Sequence, residues 1–348
     1  MIPVYDPLFE GREKEYLNKC IDSKWVSSSG EFVSSLETDF SIKANAMHAI
    51  ACCNGTAAIE VALWSAGVRE GEVIMPVSTI ISDLLAIIRV GAKPVFVDIK
   101  EDGCIDETKI EEKITQHTRA IITVNMFGNK CNVKAISSLC ISHNLKLIED
   151  KAQDWSFSQD YGNAACYSFY ANKLITSGEG GMIVTDDPKL ATRARQYINL
   201  CHSKVRFVHT DLGYNFRMSN LQAAVALAQL EQYDKFSRIK RENLKAYKRH
   251  IKDLLIVNNA EVPWMYAIKT DAQAVFVKEE LKKAGIESRR FFFPLNRQPI
   301  KELMDTEHFP VAEDMWSHCL YLPSGLTLRE WEVRQVCRTL KSTLRSII

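Results

Sequence analysis

The sequence lacks the features that would tie a chain to a membrane or a nucleic acid. Its 348 residues carry 44 Lys and Arg against 43 Asp and Glu, so the net charge is only +1. No basic block stands out, and bulk charge therefore gives no reason to expect a nucleic acid or a membrane surface as a partner. No stretch reaches the ~18 consecutive apolar residues of a membrane span. Residues 1–7 have no basic segment and no apolar run, so we expect no signal peptide.

Cysteine is present but not in any pattern that marks a metal site or a disulfide framework. The ten cysteines are scattered, and Cys52 and Cys53 are the one adjacent pair. There is no Cys-x-x-Cys motif and no Cys/His cluster with zinc spacing, so we predict no metal site. We expect reduced, mostly buried thiols in a cytoplasmic protein.

Helical and strand patterns alternate between residues 50 and 185. Such alternation predicts an α/β fold with a mostly parallel sheet flanked by helices on both faces. Ligands bind such sheets beyond the carboxyl ends of the strands. The predicted helices cover residues 57–66, 80–90, 106–114 and 135–143, and the predicted strands cover residues 73–75, 94–97, 120–124, 145–148, 166–170 and 182–185.

The remainder of the chain predicts a long helix and a second, smaller domain. Residues 219–250 contain no Gly or Pro and indicate a long helix, broken once near Asp234. A strand at 261–268, a helix at 271–284 ended by Gly285, and a final helix at 327–345 follow. We predict a large domain over residues 1–235, with an N-terminal substrate segment at 1–30, and a smaller α+β domain over residues 236–348.

Lys173 is the most informative single residue. It follows a short apolar strand and precedes the glycine-rich run 178–181, and Asp150 ends another predicted strand 23 positions earlier. This layout is typical of an enzyme that holds pyridoxal phosphate: the lysine forms a Schiff base with the cofactor, and the aspartate pairs with its pyridine nitrogen. Gly55 and Thr56 open a predicted helix, whose first N–H groups can cradle a phosphate.

Taken in order, these motifs resemble the sugar aminotransferases of the DegT/DnrJ/EryC1/StrS family over nearly the whole chain. The resemblance implies the type I fold of pyridoxal-phosphate enzymes and transfer of an amino group from L-glutamate to a nucleotide-linked 4-keto-6-deoxyhexose, with GDP as the first choice of nucleotide. The segments that carry it are 2–5, 25–30, 54–58, 91–98, 148–150, 168–181, 213–218 and 227–232.

The resemblance assigns roles around the cofactor ring. Lys173 becomes both the covalent anchor and the proton shuttle, and Asp150 the partner of the pyridine nitrogen. Gln153 reaches the 3′-oxygen of the ring. Ile80 stands where relatives carry an aromatic residue that stacks on the ring, so aliphatic packing is expected there.

The resemblance also assigns the phosphate contacts. Gly55, Thr56 and the Ser168 hydroxyl are expected to bind the phosphate within one chain. Asn215, in the run Gly-Tyr-Asn-Phe-Arg, resembles an asparagine that reaches the phosphate from the neighbouring subunit. A homodimer with shared active sites is therefore expected.

Substrate contacts are predicted from residues at both ends of the chain. Trp25 and Ser28 belong to the N-terminal substrate segment, and Arg217 and Arg289 suit a diphosphate or a donor carboxylate. Asn296 stands where relatives carry a substrate-contacting histidine.

Other functions stay open at this point. A 3-aminotransferase, or an enzyme that takes dTDP or UDP sugars, would share these motifs. The dehydratases of the family replace the lysine by histidine, and Lys173 argues against that activity. A non-catalytic regulatory protein that binds pyridoxal phosphate would need a DNA-binding module, and neither a helix-turn-helix extension nor a basic stripe is evident.

Overall fold

A seven-stranded sheet forms the centre of the molecule. The computed structural model describes residues 1–157, 162–205, 207–257, 259–300 and 306–347. The strands of this sheet are β1 (His48–Cys52), β2 (Glu72–Pro76), β3 (Lys93–Val97), β4 (Thr118–Val124), β5 (Lys146–Asp150), β6 (Ala164–Ser168) and β7 (Gly181–Thr185). Their spatial order is β1-β7-β6-β5-β4-β2-β3.

The directions of the strands bring six carboxyl ends to one edge of the sheet. The pairs β2–β3, β2–β4, β4–β5 and β5–β6 are parallel. β7 is antiparallel to both β1 and β6, so it runs against all the other strands. The loops that follow β1, β2, β5 and β6 therefore meet at the same edge, where ligands bind in folds of this kind.

Helices cover both faces of this sheet. Along β7, Ile183 packs into one apolar cluster while Met182 and Val184 pack into another, as the two-residue period of a strand requires. The helices are α1 (Glu13–Ser23), α2 (Glu31–Ala44), α3 (Gly55–Ser65), α4 (Ile81–Arg89), α5 (Val133–Ser142), α6 (Pro188–Ile198), α7 (Asn220–Leu230), α8 (Tyr233–Ile251), α9 (Ala274–Lys283), α10 (Pro310–His318) and α11 (Glu330–Ile347). The predicted α/β fold is confirmed.

The C-terminal part contains a small antiparallel sheet. Its strands are β8 (Tyr266–Lys269), β9 (Arg289–Arg290) and β10 (Cys319–Leu322), in the order β8-β10-β9. The predicted domain boundary at residues 235 and 236 stays a prediction, and α8 crosses it as one continuous helix.

Among the described residues, no helix has both the length and the apolar character needed to cross a lipid bilayer.

The predicted long helix is confirmed together with its break. Residues 219–250 form α7 and α8, and the break lies at residues 231–232, slightly before Asp234. The Ser219 side chain caps the start of α7 in a reciprocal arrangement with Gln222.

Two sequence predictions are wrong in part. The helix expected at 106–114 is a pair of 3-10 turns, Glu107–Lys109 and Glu111–Lys113, in which N–H groups bond three residues back. The Asp106 side chain accepts the Thr108 N–H, and such a local side-chain hydrogen bond favours a short turn over a continuous α-helix. The strand expected at 261–268 pairs only from Tyr266, because Pro263 has no N–H and the N–H of Trp264 donates to Phe127 instead.

Candidate active site

All the predicted cofactor residues except Asn215 converge at the carboxyl edge of the large sheet. They surround a cavity of about 480 Å³, a size that suits a small-molecule ligand. Those that line it are Gly55, Thr56, Ile80, Asp150, Gln153, Ser168 and Lys173, and the predicted substrate residue Arg289 lines it as well.

Lys173 lies in the loop after β6, where its half-buried side chain lines the cavity beside Trp264. Its Nζ stands 4.3 Å from the centre of the Trp264 ring. Burial lowers the pKa of the Lys173 amine to about 8, and the opposing carboxylates Asp150 and Asp83 limit that fall. The loop is held in place because the Tyr5 hydroxyl donates to the Lys173 carbonyl at 2.6 Å and the Trp264 indole donates to the Asn172 carbonyl at 2.8 Å. A lysine in this state is poised to act as a nucleophile.

Asp150 is the last residue of β5, and its side chain is 2% exposed. The Ala152 N–H donates to its Oδ1 at 2.8 Å. Burial raises the pKa of Asp150, and both that N–H and the nearby Lys173 amine oppose the rise. A buried carboxylate facing a cavity is suited to pair with a cationic nitrogen of a ligand.

Gln153 presents its amide to the same cavity. Its Oε1 accepts the Phe127 N–H at 2.8 Å, and the side chain is 2% exposed. Since the oxygen is engaged by the backbone, the NH₂ group is the part of the amide left to donate to a ligand oxygen.

The start of α3 forms a close cradle beside Ser168. The first N–H groups of an α-helix have no intrahelical partners, and in α3 the Asn54 side chain accepts that of Ala57. A Cβ added to Gly55 would lie 2.8 Å from the Ser168 Cβ, so only glycine allows the helix start to approach β6 this closely. The Thr56 hydroxyl donates to the Ser82 hydroxyl at 2.7 Å. Ile80, immediately before α4, is 44% exposed and lines the cavity.

The other predicted residues lie outside this cavity. Ser28 and Arg217 line a second cavity of about 330 Å³, where the Arg217 guanidinium donates to the Asn199 side chain at 2.7 Å. Trp25 lines a third cavity, of about 390 Å³. Asn215 is exposed, and Asn296 is buried with its NH₂ group bonded to the Glu307 carbonyl. The structure of one chain therefore does not bring these five residues to Lys173.

The sequence interpretation missed three residues of this region. Trp264 covers the Lys173 amine, and Tyr321 lines the cavity from β10. Asp83 is completely buried in the first turn of α4, near Asp150 and Lys173. The sequence contained a sign of this burial, because Asp83 stands four residues before Ile87 and therefore falls on the apolar face of the helix. No comparable pattern marked Trp264 or Tyr321.

The fold and the chemistry of this cavity are those of a pyridoxal-phosphate-dependent transferase. The chain belongs to the DegT/DnrJ/EryC1/StrS aminotransferase family, whose model matches residues 8–341. It is 37% identical to the GDP-perosamine synthase of Escherichia coli O157:H7, with 97% of each chain covered. It is 33% identical to the GDP-perosamine synthase of Vibrio cholerae, with 100% of each chain covered. The Helicobacter pylori aminotransferase PseC, involved in the biosynthesis of pseudoaminic acid, has the same fold: its TM-score is 0.92 at 24% identity, with 99% of each chain covered.

Pyridoxal phosphate is the cofactor of this family, and the residues present fit it. The cradle that a Cβ at Gly55 would fill suits the phosphate, and the buried Asp150 suits the ring nitrogen. The Lys173 amine, with a pKa of about 8, suits covalent attachment. This chain is a pyridoxal-phosphate-dependent aminotransferase.

Proposed function

We propose that this enzyme transfers an amino group from L-glutamate to C4 of a nucleotide-linked 4-keto-6-deoxyhexose, with a GDP sugar as the preferred substrate. The observation that carries the proposal is full-length similarity to two GDP-perosamine synthases at 37% and 33% identity. The cavity supports the transfer chemistry, because an amine of lowered pKa and a buried carboxylate face the same space.

The reaction depends on proton transfer by the chain itself. When bound, pyridoxal phosphate supplies the electron sink that stabilises negative charge on the donor α-carbon. Lys173 Nζ would hold the cofactor covalently, and its amine would carry the proton between the donor α-carbon and C4′ of the cofactor. The Trp264 ring lies over Nζ, 4.3 Å from it at the ring centre, and so helps to hold the amine in place.

Asp150 and Gln153 hold and polarise the ring. The Asp150 carboxylate keeps the pyridine nitrogen protonated, since an opposite charge at close range favours the charged form. The Gln153 NH₂ group donates to the 3′-oxygen, a role supported by the use of its Oε1 for the Phe127 N–H. Ile80, which lines the cavity immediately before α4, would pack on the ring face.

The phosphate site is proposed to be completed by a second copy of the chain. Gly55, Thr56 and Ser168 offer N–H and hydroxyl donors, which are neutral groups for a phosphate that carries up to two charges. Asn215 is exposed and lies in a segment whose neighbours Leu212 and Tyr214 are 88% and 47% exposed. Exposed apolar side chains of this kind suit an interface. In a homodimer, Asn215 would reach the partner's phosphate, and Arg217, Ser28 and Trp25 would face the partner's sugar nucleotide.

Mixed dimers test this arrangement. Lys173→Ala chains and Asn215→Asp chains, each inactive alone, should together recover about a quarter of wild-type activity, because random pairing makes half the dimers mixed and each has one intact site. The matched control combines Lys173→Ala with Asp150→Asn, whose residues line one cavity of one chain and should give no recovery. No recovery in verified Lys173→Ala/Asn215→Asp heterodimers contradicts a shared site.

A coupled assay tests the substrate. The enzyme is incubated with L-glutamate and with GDP-, dTDP- or UDP-linked 4-keto-6-deoxyhexoses, and the products are identified by mass and by NMR. We expect a 4-amino-4,6-dideoxyhexose on GDP. Turnover only with dTDP or UDP sugars would contradict the nucleotide, and amination at C3 would contradict the position.

The proposal places the enzyme in the cytoplasm. The ten cysteines are unpaired, and nine of them are buried, which suits a reducing compartment. Fractionation of cells that produce the protein tests this placement, and recovery with an exported marker would contradict it.

A further inference from the structure

Lys240 is a fully buried lysine in the middle of α8. It is 0% exposed, although proteins rarely bury a lysine completely without a charged partner. Burial lowers the pKa of its amine well below the ordinary value, and no charged group among the described residues opposes that fall. A buried amine that forms no ion pair there calls for another explanation.

The Lys240 amine is surrounded by neutral acceptors. Its Nζ donates to the Trp264 carbonyl at 2.6 Å, to the Ser324 carbonyl at 2.6 Å and to the Ser324 hydroxyl at 2.8 Å. The Ser324 hydroxyl in turn donates to the Trp264 carbonyl at 2.8 Å. One side chain therefore ties α8 to the segment that leads into β8 and to the segment that follows β10.

The contact with Trp264 leads to the Lys173 loop. The Trp264 indole donates to the Asn172 carbonyl at 2.8 Å, and its ring centre lies 4.3 Å from Lys173 Nζ. The place of the ring depends on the backbone that carries it, and the carbonyl of that same residue accepts from Lys240. The Lys240 amine thus helps to fix one of the two side chains that hold the loop.

The contact with Ser324 leads to the same loop through Tyr5. The Ser324 N–H donates to the Val4 carbonyl at 2.8 Å, which fixes the backbone beside Tyr5. The Tyr5 hydroxyl donates to the Lys173 carbonyl at 2.6 Å, and its ring centre lies 5.2 Å from Lys240 Nζ. Both side chains that hold the loop are therefore carried by segments that the Lys240 amine joins.

We propose that Lys240 is a positioning residue of the cofactor site, whose amine joins the two segments that hold the backbone of the Lys173 loop. Trp264 and Tyr5 bond successive carbonyl groups of the loop, and the Lys240 amine ties their supports to α8. An apolar side chain of the same length would fill the space, but it would remove one donor from each of the two carbonyl groups that Lys240 contacts.

Amide hydrogen exchange in the full-length protein freed of cofactor tests this role without any turnover. The Lys173 N–H donates to the Tyr170 carbonyl at 2.9 Å and the Ser177 N–H to the Phe169 carbonyl at 3.0 Å, so both amides report on the loop. Lys240→Met keeps the length of the side chain and removes its donors. Exchange at the two amides should become about tenfold faster, the effect expected for the loss of one or two hydrogen bonds.

Two further variants make this result specific. Val336→Ala creates a cavity in the buried face of α11 and should lower Tm without faster exchange in the loop, because a loop opens locally rather than with the whole fold. Ser324→Ala removes only the hydroxyl acceptor, so exchange in the loop should become about two- to threefold faster. If Lys240→Met lowers Tm but leaves the Lys173 and Ser177 amides at the wild-type rate, Lys240 supports only local packing and the proposal is wrong. If Lys240→Met does not fold, unchanged exchange in Ser324→Ala overturns the proposal instead.

The affinity for pyridoxal phosphate tests whether Lys240 acts through Tyr5. Tyr5→Phe removes the hydroxyl that bonds the loop, and Tyr5→Phe and Lys240→Met should each weaken binding by about five- to tenfold. If both act on the loop, the loss in the double variant should be smaller than the product of the two single losses.

Thr56→Val, on α3 and outside these hydrogen bonds, is the matched control, and its loss of affinity should multiply with that of Lys240→Met. Losses that multiply for Tyr5→Phe and Lys240→Met as well would contradict the proposal. Neither exchange nor cofactor binding involves a sugar, so an error in the proposed substrate would leave both results unchanged.

Discussion

The cavity around Lys173 and the cavity around Arg217 are built from different kinds of structure. The first, of about 480 Å³, lies where several strands of one sheet end, and a buried carboxylate and a buried amide line it. The second, of about 330 Å³, lies between the segment that precedes α2 and the segment that carries Arg217, and its guanidinium groups are already paired: Arg217 with Asn199 and Arg195 with Glu37. The first cavity thus presents reactive groups from one chain, whereas the second is assigned a binding role only by the proposed homodimer.

The largest effect should come from the residue that defines the first cavity. Lys173→Ala removes both the anchor and the proton shuttle, so turnover should fall by about 10³-fold or more and the visible absorption of the bound cofactor should be lost. The circular dichroism spectrum should be unchanged. Lys189→Ala, at an exposed position in α6, is the matched control and should behave as wild type. If Lys173→Ala turned over near the wild-type rate, the cavity around Lys173 would not be the site of the reaction.

The pKa of about 8 for Lys173 predicts the pH range over which its amine becomes reactive toward the cofactor. Only the neutral amine attacks the cofactor, so attachment to the cofactor-free protein should speed up as pH rises and level off above about 8. At pH 7 about one amine in ten is neutral, compared with about one in 3,000 for an ordinary lysine, a difference of about 300-fold. Stopped-flow absorbance from pH 6 to pH 10 measures this. A rate that keeps rising tenfold per pH unit to pH 10 would contradict the lowered pKa.

Arg217→Ala tests the second cavity. If Arg217 binds the sugar nucleotide of a partner subunit, kcat/KM for that substrate should fall by about 10–100-fold, the usual cost of a charge-assisted hydrogen bond. The cofactor absorption should stay intact, because Arg217 does not line the Lys173 cavity. Arg249→Ala, which breaks an exposed ion pair with Glu330, is the control. A loss of Tm without a change in kcat/KM would mean that Arg217 only supports local packing.

The smallest effect concerns the ring face of the first cavity. Ile80→Tyr should tighten pyridoxal phosphate by about 0.5–1.5 kcal/mol, or about two- to tenfold, if Ile80 covers the ring. Ile80 is 44% exposed beside the cavity, which leaves room for a larger side chain. Equilibrium titration of the cofactor-free protein measures the change. A large loss of affinity would show that the pocket is already filled at this position.

The sequence predicted those parts of the site that depend on local position. Asp150 and Ser168 end their strands and Gly55 opens α3, and such positions can be identified from alternating patterns without knowledge of the strand order. The helix expected at 106–114 failed because a short segment with acidic residues can form separate turns as easily as a helix. Asp83 lies on the apolar face of α4, which the sequence shows, but its position near Asp150 and Lys173 depends on how α4 packs against distant strands. The roles of the individual site residues stay predictions until the variants are measured.

The sequence by itself determined the alternating helices and strands, the glycine at the start of α3, and the placement of a lysine and an aspartate after separate strands. These features are local, because each depends on side-chain periodicity or on the conformational freedom of one residue. Only the tertiary structure decided that Trp264 covers Lys173, that Asp83 lies near Asp150, and that Ser28 and Arg217 share a separate cavity. Those relations join residues far apart in the chain, and their geometry follows from strand order and helix packing, which no local pattern specifies.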